Sequence, residues 1–385
     1  MRVLIVEPVA ESGDWHYASL MGGALAECGI DVSLATLFPK TPVSALCPVP
    51  IYPIGPLPDE LRWSRFVSLK RAAYHVRKMW GLRRLIIMLR PDIVHLQKPL
   101  GAADFVYLRY IRRLAPRLVY TVHSPLPSRL GPVSLARLRR MDLILVHDAA
   151  TQRQLIEAGI PASKVRRILH GNYIHLCHPR DLPPADARRS LGLHPEARVI
   201  LFFGSIEWRK GLDRLIEAFA MVSQDFDDVY LAISGYPNED FATYRAHIER
   251  LGIRDRVVVN LQWVPCSEMQ RYFHAATMVV LPYRRISQSG VLQLAYAYER
   301  PLVVTDSGGI AEAVLEDGTG LVARDSQPAG IAAAIRELLS DPERAALMGR
   351  RGRMLAETKY AWSRIASDVV SFYHSICNSD TAVHA

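Results

Sequence analysis

The sequence predicts an α/β protein of two domains, each a parallel sheet with helices on its faces. Three observations predict it. Short apolar runs such as Val3-Leu4-Ile5-Val6 and Pro301-Leu302-Val303-Val304-Thr305 recur along the chain, continuous enough to be buried on both faces. They alternate with segments of helical periodicity, the pattern of right-handed βαβ crossovers. The alternation lapses between Cys177 and Ala197, and a length of 385 residues favours two domains over one. The expected division is 1–180, 181–360, and a C-terminal helix over 361–385 that returns to the first domain and ends in a disordered tail. Two such halves joined by a linker would face each other across a cleft, a favoured place for a ligand.

Half of the residues are apolar, enough for sizeable cores, and no run reaches the length of a membrane-spanning helix. The first strand begins at Arg2, which leaves no room for a signal peptide. Five scattered cysteines without a CxxC pair read as reduced thiols, and together these features predict a cytoplasmic protein. A formal charge of +9 suits an anionic partner of unspecified kind.

The strand Val3–Val6 leads into a loop, Pro8 to Asp14, with Gly13 at its tip. A helix follows from Trp15 to Cys28, stopped by Gly29, and then the strand Val32–Thr36. GxGxxG is absent, so no dinucleotide cofactor is expected. Residues 40–58 are proline-rich and read as an irregular loop. Arg62 to Arg90 carries nine basic residues and no acidic one, interleaved with Trp63, Phe66, Tyr74 and Trp80. Such a segment can lie in the headgroup layer of an anionic membrane, and it equally fits a solvated basic face over a helix–sheet contact. No nucleic-acid motif accompanies the charge, so no nucleic-acid partner is expected. Asp92–His95 and Leu118–His123 read as strands that each end in histidine, at the end of a parallel sheet where ligands bind. Position favours His123 over His95, because Ser124-Pro125 turns the chain there and leaves the imidazole at the rim. Leu143–Val146 is a further strand, and Val165–Leu169 runs into His170-Gly171-Asn172.

The second series opens with a strand over Arg198–Phe203, a loop over Gly204–Gly211 and a helix over Leu212–Val222. Strands at Val229–Ser234, Val257–Asn260 and Met278–Leu281 alternate with helices near 239–251 and 267–275. Closing helices lie near 328–340, 342–357 and 362–376. The loop after the strand 198–203 carries Arg209 and Lys210 close to a helix start. Positive charge there opposes the helix dipole, and a bound diphosphate would supply the compensation. From Ser287 to Glu312 the chain makes two strand-end turns, each leading into a helix N-terminus, with Ser289 placed to cap the first helix. Such turns suit a phosphate, and they also fit two ordinary βα connections.

These residues carry a resemblance. The Lys210-Gly211 pair, the run SQSGVLQLAYAY from Ser287, the turn DSGGIAEAV from Asp306, the TVH ending at His123 and the HGN at His170 resemble retaining GT-B glycosyltransferases of family 4. The likeness implies two Rossmann-like domains, with a nucleoside-diphosphate-sugar donor in the second and a glycan, lipid-linked or small-molecule acceptor in the first. It implies donor contacts from Gly204, Arg209, Lys210, Gln288, Ser289, Gly290 and Glu312, and acceptor contacts from Gly13 and His123. The catalytic set would be His123, Arg209 and Lys210, without cofactor or metal, and the product would retain the sugar's configuration. The family's usual glutamate pair falls on Ser287 and Ala295, which leaves the grip on the nucleotide ribose unassigned. Alternatives are a catalytically silent nucleotide-sugar-binding or scaffolding protein, and a GT-B enzyme of another outcome, such as an inverting transferase or an epimerase. Asp225-Phe226-Asp227 spells DxD, the metal–diphosphate signature of a different transferase fold, but it lies between a helix and a strand and reads as a solvated turn.

Overall fold

The computed structural model describes residues 1–8, 13–37, 48–55, 67–98, 111–115, 117–127, 130–176 and 182–378; for 67–75 only the backbone is described. The chain divides into two compact units, Met1–Gly171 with Trp362–Ala385, and Asn172–Ala361.

The first unit holds a parallel sheet in the order β3-β2-β1-β4-β5-β6-β7. The strands are β1 (Arg2–Val6), β2 (Asp31–Thr36), β3 (Ile51–Pro53), β4 (Ile93–Leu96), β5 (Arg117–Val122), β6 (Leu143–Val146) and β7 (Val165–Arg167). The central strands are buried throughout, which is why their sequences show no alternation. One sheet face packs against Leu82, Leu85 and Ile86 of the helix Val67–Leu89 and Leu138 of the helix Pro132–Arg139. The other face takes the helices Gly13–Glu27 and Trp362–Asn378. The chain's last helix belongs here because Trp362, Ile365, Val369 and Tyr373 form one apolar stripe. Burying each of these side chains stabilises the unit by about 1.5–3 kcal/mol. The Tyr373 hydroxyl also bonds His95 Nδ1 at 2.6 Å.

The second unit holds a parallel sheet in the order β10-β9-β8-β11-β12-β13. Its strands are β8 (Arg198–Phe203), β9 (Val229–Ser234), β10 (Val257–Asn260), β11 (Met278–Leu281), β12 (Leu302–Val304) and β13 (Gly320–Val322). The helices Leu212–Val222 and Pro328–Ser340 cover one face through Leu215, Ile216, Phe219, Ile331 and Ile335. Both strand orders reverse direction once, beside β1 in the first unit and beside β8 in the second.

Several local expectations need correction. The helix expected from Trp15 starts at Gly13, and residues 9–12 of the loop before it lie outside the described residues. Ile51–Pro53, inside the proline-rich stretch, forms an edge strand, where a proline removes no needed hydrogen bond. The stretch read as linker contains a helix, Pro184–Ser190, opened by prolines and held by Arg188 Nε on Ala275 O at 3.2 Å and Arg271 Nη2 on Ser190 O at 2.9 Å. Cys47, Cys177, residues 62–66 and the tail beyond 378 lie outside the described residues, whereas Cys28, Cys266 and Cys377 are free thiols.

Candidate active site

In an open α/β sheet the crevice lies outside the carboxyl ends of the strands where the order reverses. In the second unit that point is between β8 and β11, whose following loops carry residues 204–211 and 282–289. Glycines bring these loops together. Gly211 has φ 66°, and a Cβ there would run into Pro282 O; Gly308 has φ 56°, and a Cβ there would run into Ile286 O. The φ values alone would strain any other residue. Arg284 straps the two loops: its backbone N–H donates to Arg209 O at 2.8 Å and its Nη1 to Trp208 O at 2.8 Å and Asp213 Oδ1 at 2.7 Å. Its guanidinium also lies over the Trp208 ring, 4.7 Å from the centroid.

Arg209 and Lys210 lie in a 3₁₀ turn, Trp208–Lys210, and Gly211 separates them from the helix that starts at Leu212. Lys210 is buried, its Nζ 5.5 Å from the Tyr283 ring centroid. Burial, then the Arg209 charge, pulls its amine down to about 8 against the opposing pull of Glu207. Arg209 pairs with Glu207 at 2.8 Å, yet its Nη1 is buried without a hydrogen-bond partner among the described residues. Gln288 Oε1 is also buried without one. Two helix N-termini face the same loops, Gly290–Ala297 and Gly308–Asp317, and no side chain caps either. Ser289 therefore does not cap as expected; its Oγ meets the Tyr283 hydroxyl at 3.4 Å instead. Two cations beside two uncapped helix starts make a site for a polyvalent anion.

Four histidines lie at or just beyond carboxyl ends of strands in the first unit: His95 within β4, His123 and His147 directly after β5 and β6, and His170 three residues after β7. Tyr17 stands edge-on to His123, His147 and His170, with centroids 4.6, 5.4 and 5.1 Å away. His95 is fully buried between Tyr373 and Thr121 Oγ1, the latter at 2.7 Å, so it is structural. The others form a chain. His147 Nδ1 faces Ile168 O at 3.3 Å, a carbonyl that can only accept, so this nitrogen carries the proton. His147 Nε2 then accepts from His123 Nδ1 at 3.4 Å, which leaves His123 Nε2 as an acceptor. The Gln97 side chain lies 2.8 Å from that nitrogen, and among the described residues its amide nitrogen otherwise has no partner, so the amide belongs with its NH₂ on His123. Burial, followed by the charges of His170, His95 and Lys98, holds His123 well below the usual histidine range. The result is a neutral imidazole of fixed tautomer at the sheet's carboxyl edge.

Comparisons with known proteins follow this division of the chain. Residues 15–172 match the family model Glycosyltransferase Family 4, and residues 185–354 match Glycosyl transferases group 1. Both halves of the chain thus resemble glycosyltransferases of family 4. It is 28% identical over 285 residues to a D-inositol 3-phosphate glycosyltransferase of Segniliparus rotundus, a match covering 68% of this chain and 62% of that protein. It is 24% identical to the lipopolysaccharide core biosynthesis mannosyltransferase LpcC of Rhizobium leguminosarum bv. viciae, over 89% of this chain and 92% of that one. The crystal structure of Anabaena HepE in complex with UDP and glucose superposes with a TM-score of 0.75 at 18% identity, over 97% of this chain and 100% of that one. The chain thus spans about three fifths of the length of the first curated relatives it matches, 62% and 60%. The fold is GT-B, with two Rossmann-like domains.

The second unit brings Gly204, Arg209, Lys210, Gln288, Ser289 and Gly290 to one sheet edge. A Cβ on Gly204 would stand 3.1 Å from Lys210 Nζ, so this glycine makes room for the amine. Glu312 is exposed in the second turn of the helix Gly308–Asp317. In the first unit Gly13 opens a helix whose Asp14 pairs with Lys98 at 3.1 Å, next to Gln97 and His123. Ala295, at a family glutamate position, is fully buried, and Ser287 is buried as well. Sequence reasoning missed Arg284, Tyr17 and His147. A signal for His147 was present, since Leu145-Val146-His147 repeats the pattern of Ile93-Val94-His95 and Thr121-Val122-His123.

Proposed function

We propose that this protein is a glycosyltransferase that moves a sugar from a nucleoside diphosphate to an acceptor hydroxyl, with retention and without a metal. The observation that carries the reading is the convergence of Lys210, the unbonded Nη1 of Arg209 and two uncapped helix N-termini where the second sheet's strand order reverses. That set matches a diphosphate, and the GT-B neighbour HepE has been crystallised with UDP and glucose and with UDP-glucose. The bond from the anomeric carbon to the diphosphate oxygen breaks, and one to the acceptor oxygen forms. The acceptor's proton leaves with the diphosphate, whose growing charge Lys210, Arg209 and the helix dipoles would stabilise. His123, neutral and fixed, would hold a sugar or acceptor hydroxyl. The missing glutamates at Ser287 and Ala295 favour a second reading, a silent nucleotide-sugar binder. Release of nucleoside diphosphate from UDP-, GDP- and ADP-sugars separates the two: an enzyme turns over one donor class, with or without acceptor, and a silent binder releases none.

Metal independence rests on the DxD. Arg336 pairs with Asp225 at 2.6 Å and Arg256 with Asp227 at 2.9 Å, on exposed loops before β9, the sheet end away from the carboxyl edge. Asp225→Asn with Asp227→Asn should leave turnover unchanged and the melting temperature nearly so, because exposed ion pairs add little. Excess chelator should be equally silent. A magnesium or manganese requirement abolished by this double substitution would contradict the proposal.

An anionic membrane surface is the second proposed partner. On the helix Val67–Leu89, Val76, Trp80, Ile87 and Met88 are exposed on the side that carries Arg77 and Arg84. Exposed apolar residues mixed with arginines suit a headgroup layer. Lys78 is buried and does not belong to that face. The protein should co-sediment with anionic but not neutral vesicles and be released by salt. Arg77→Glu with Arg84→Glu should abolish sedimentation without lowering the melting temperature. Equal binding to both vesicle types would refute an electrostatic contact.

A further inference from the structure

The first unit contains a cavity of about 360 Å³ beside His123, at the carboxyl ends of β4 and β5. Its wall is Leu96, Tyr120, Leu126, Leu130, Leu138 and Met141 with two prolines, Pro125 and Pro127, while Asp14, Gln97, Lys98, His123, Arg137 and two serines also border it. We propose that this cavity takes the aliphatic chain of a lipid-tailed acceptor, with the acceptor's hydroxylated head at Gln97 and His123. The inference rests on the transferase reading above.

The chemistry of the wall selects the occupant. An inositol phosphate or an unsubstituted sugar carries hydroxyls around its ring. Pressed against leucine, methionine and proline, each hydroxyl left without a partner costs roughly 5- to 150-fold in affinity. The cation best placed for a phosphate, Lys98, is engaged by Glu7 and Asp14, both at 3.1 Å. An aliphatic chain has no such penalty, and each methylene it buries gains roughly fourfold in affinity. Tyr120 lies opposite Leu96 in the β4–β5 pairing, so the apolar wall starts one residue from Gln97 on one strand and three from His123 on the other. A hydroxyl at the histidine and a chain in the cavity are thereby adjacent, the geometry of a glycoside with an alkyl aglycone. The same unit carries the exposed Trp80–Ile87–Met88 face, from which a lipid-tailed molecule would be drawn.

The test compares octyl, phenyl and methyl β-D-glucopyranoside with inositol 1-phosphate for binding to the full chain, below the octyl glucoside's micelle threshold. Octyl should bind at least 100-fold more tightly than methyl, and more tightly than phenyl. Leu126→Asp, at the half-buried edge of the wall, should remove the octyl advantage, as should Leu126→Trp, which fills the space without adding charge. Neither should alter nucleoside-diphosphate binding, whose residues lie in the other unit. Equal octyl and methyl binding, tighter phenyl or inositol 1-phosphate binding, or an octyl advantage that survives both substitutions would overturn the proposal. If nucleoside diphosphates bind normally in any of those cases, the acceptor inference fails and the donor reading stands. If no nucleoside diphosphate binds, the donor reading fails, whatever octyl glucoside does.

Discussion

Lys210→Ala should lose at least tenfold in kcat/KM for the donor, with an unchanged melting temperature in its absence. A charge-assisted hydrogen bond is worth roughly 1.5–3 kcal/mol, which corresponds to about 10- to 150-fold. Much of the loss should fall on turnover, because charge grows on the diphosphate as it leaves. The ammonium also makes a pH signature. Free Lys210 titrates at about 8, and only its charged form binds phosphate well. Donor affinity should therefore fall as pH rises above about 8, and binding measured there should take up a proton. Lys210→Arg should keep its affinity through that range, since a guanidinium stays charged. Full activity in Lys210→Ala would place the diphosphate elsewhere.

The buried histidines should make the fold acid-labile. Burial pushes His95 down to about 3 and His170 down to about 4, and holds His147 well below its ordinary range, with the His123 and His170 charges adding to the effect. In the unfolded chain each titrates near 6.5. Below that value the unfolded state binds more protons than the native state, so the stability these groups allow is fully present above pH 6.5. It is lost as pH falls toward the native-state values, by about 1.4 kcal/mol per pH unit for each histidine. With His123, held low in the same way, four such groups lose roughly 6 kcal/mol per unit, a large share of the 5–15 kcal/mol typical of a domain. Denaturant midpoints should fall steeply between pH 6.5 and 5, and His95→Gln should reduce the slope by about a quarter. A midpoint independent of pH over that range would show that these histidines are charged or exposed.

The second unit was the more legible in sequence. Its strand Arg198–Phe203, the loop over Gly204–Gly211 and the helix Leu212–Val222 follow from an apolar run, a glycine-bounded polar turn and a strong amphipathic period. Lys210 was visible because its charge sits where local stability would not choose it. What stayed hidden has little local signal. Gly320–Val322 and Ile51–Pro53 are three-residue strands, too short for a period to register. Arg284 looks like any loop arginine, and only the tertiary approach of Asp213 and Trp208 makes it a strap. The tautomer of His123 depends on Ile168, whose carbonyl reaches it through His147.

The central claim is that the carboxyl edge of β8 and β11 binds a nucleoside diphosphate through Lys210 and Arg209. Thermal unfolding of the full chain with UDP, GDP and ADP tests it most directly. One of them at 100 times its dissociation constant should add about 2.7 kcal/mol of stability, and Lys210→Ala with Arg209→Ala should abolish that gain. No stabilisation by any of the three, or the same stabilisation in the double variant, would contradict the account.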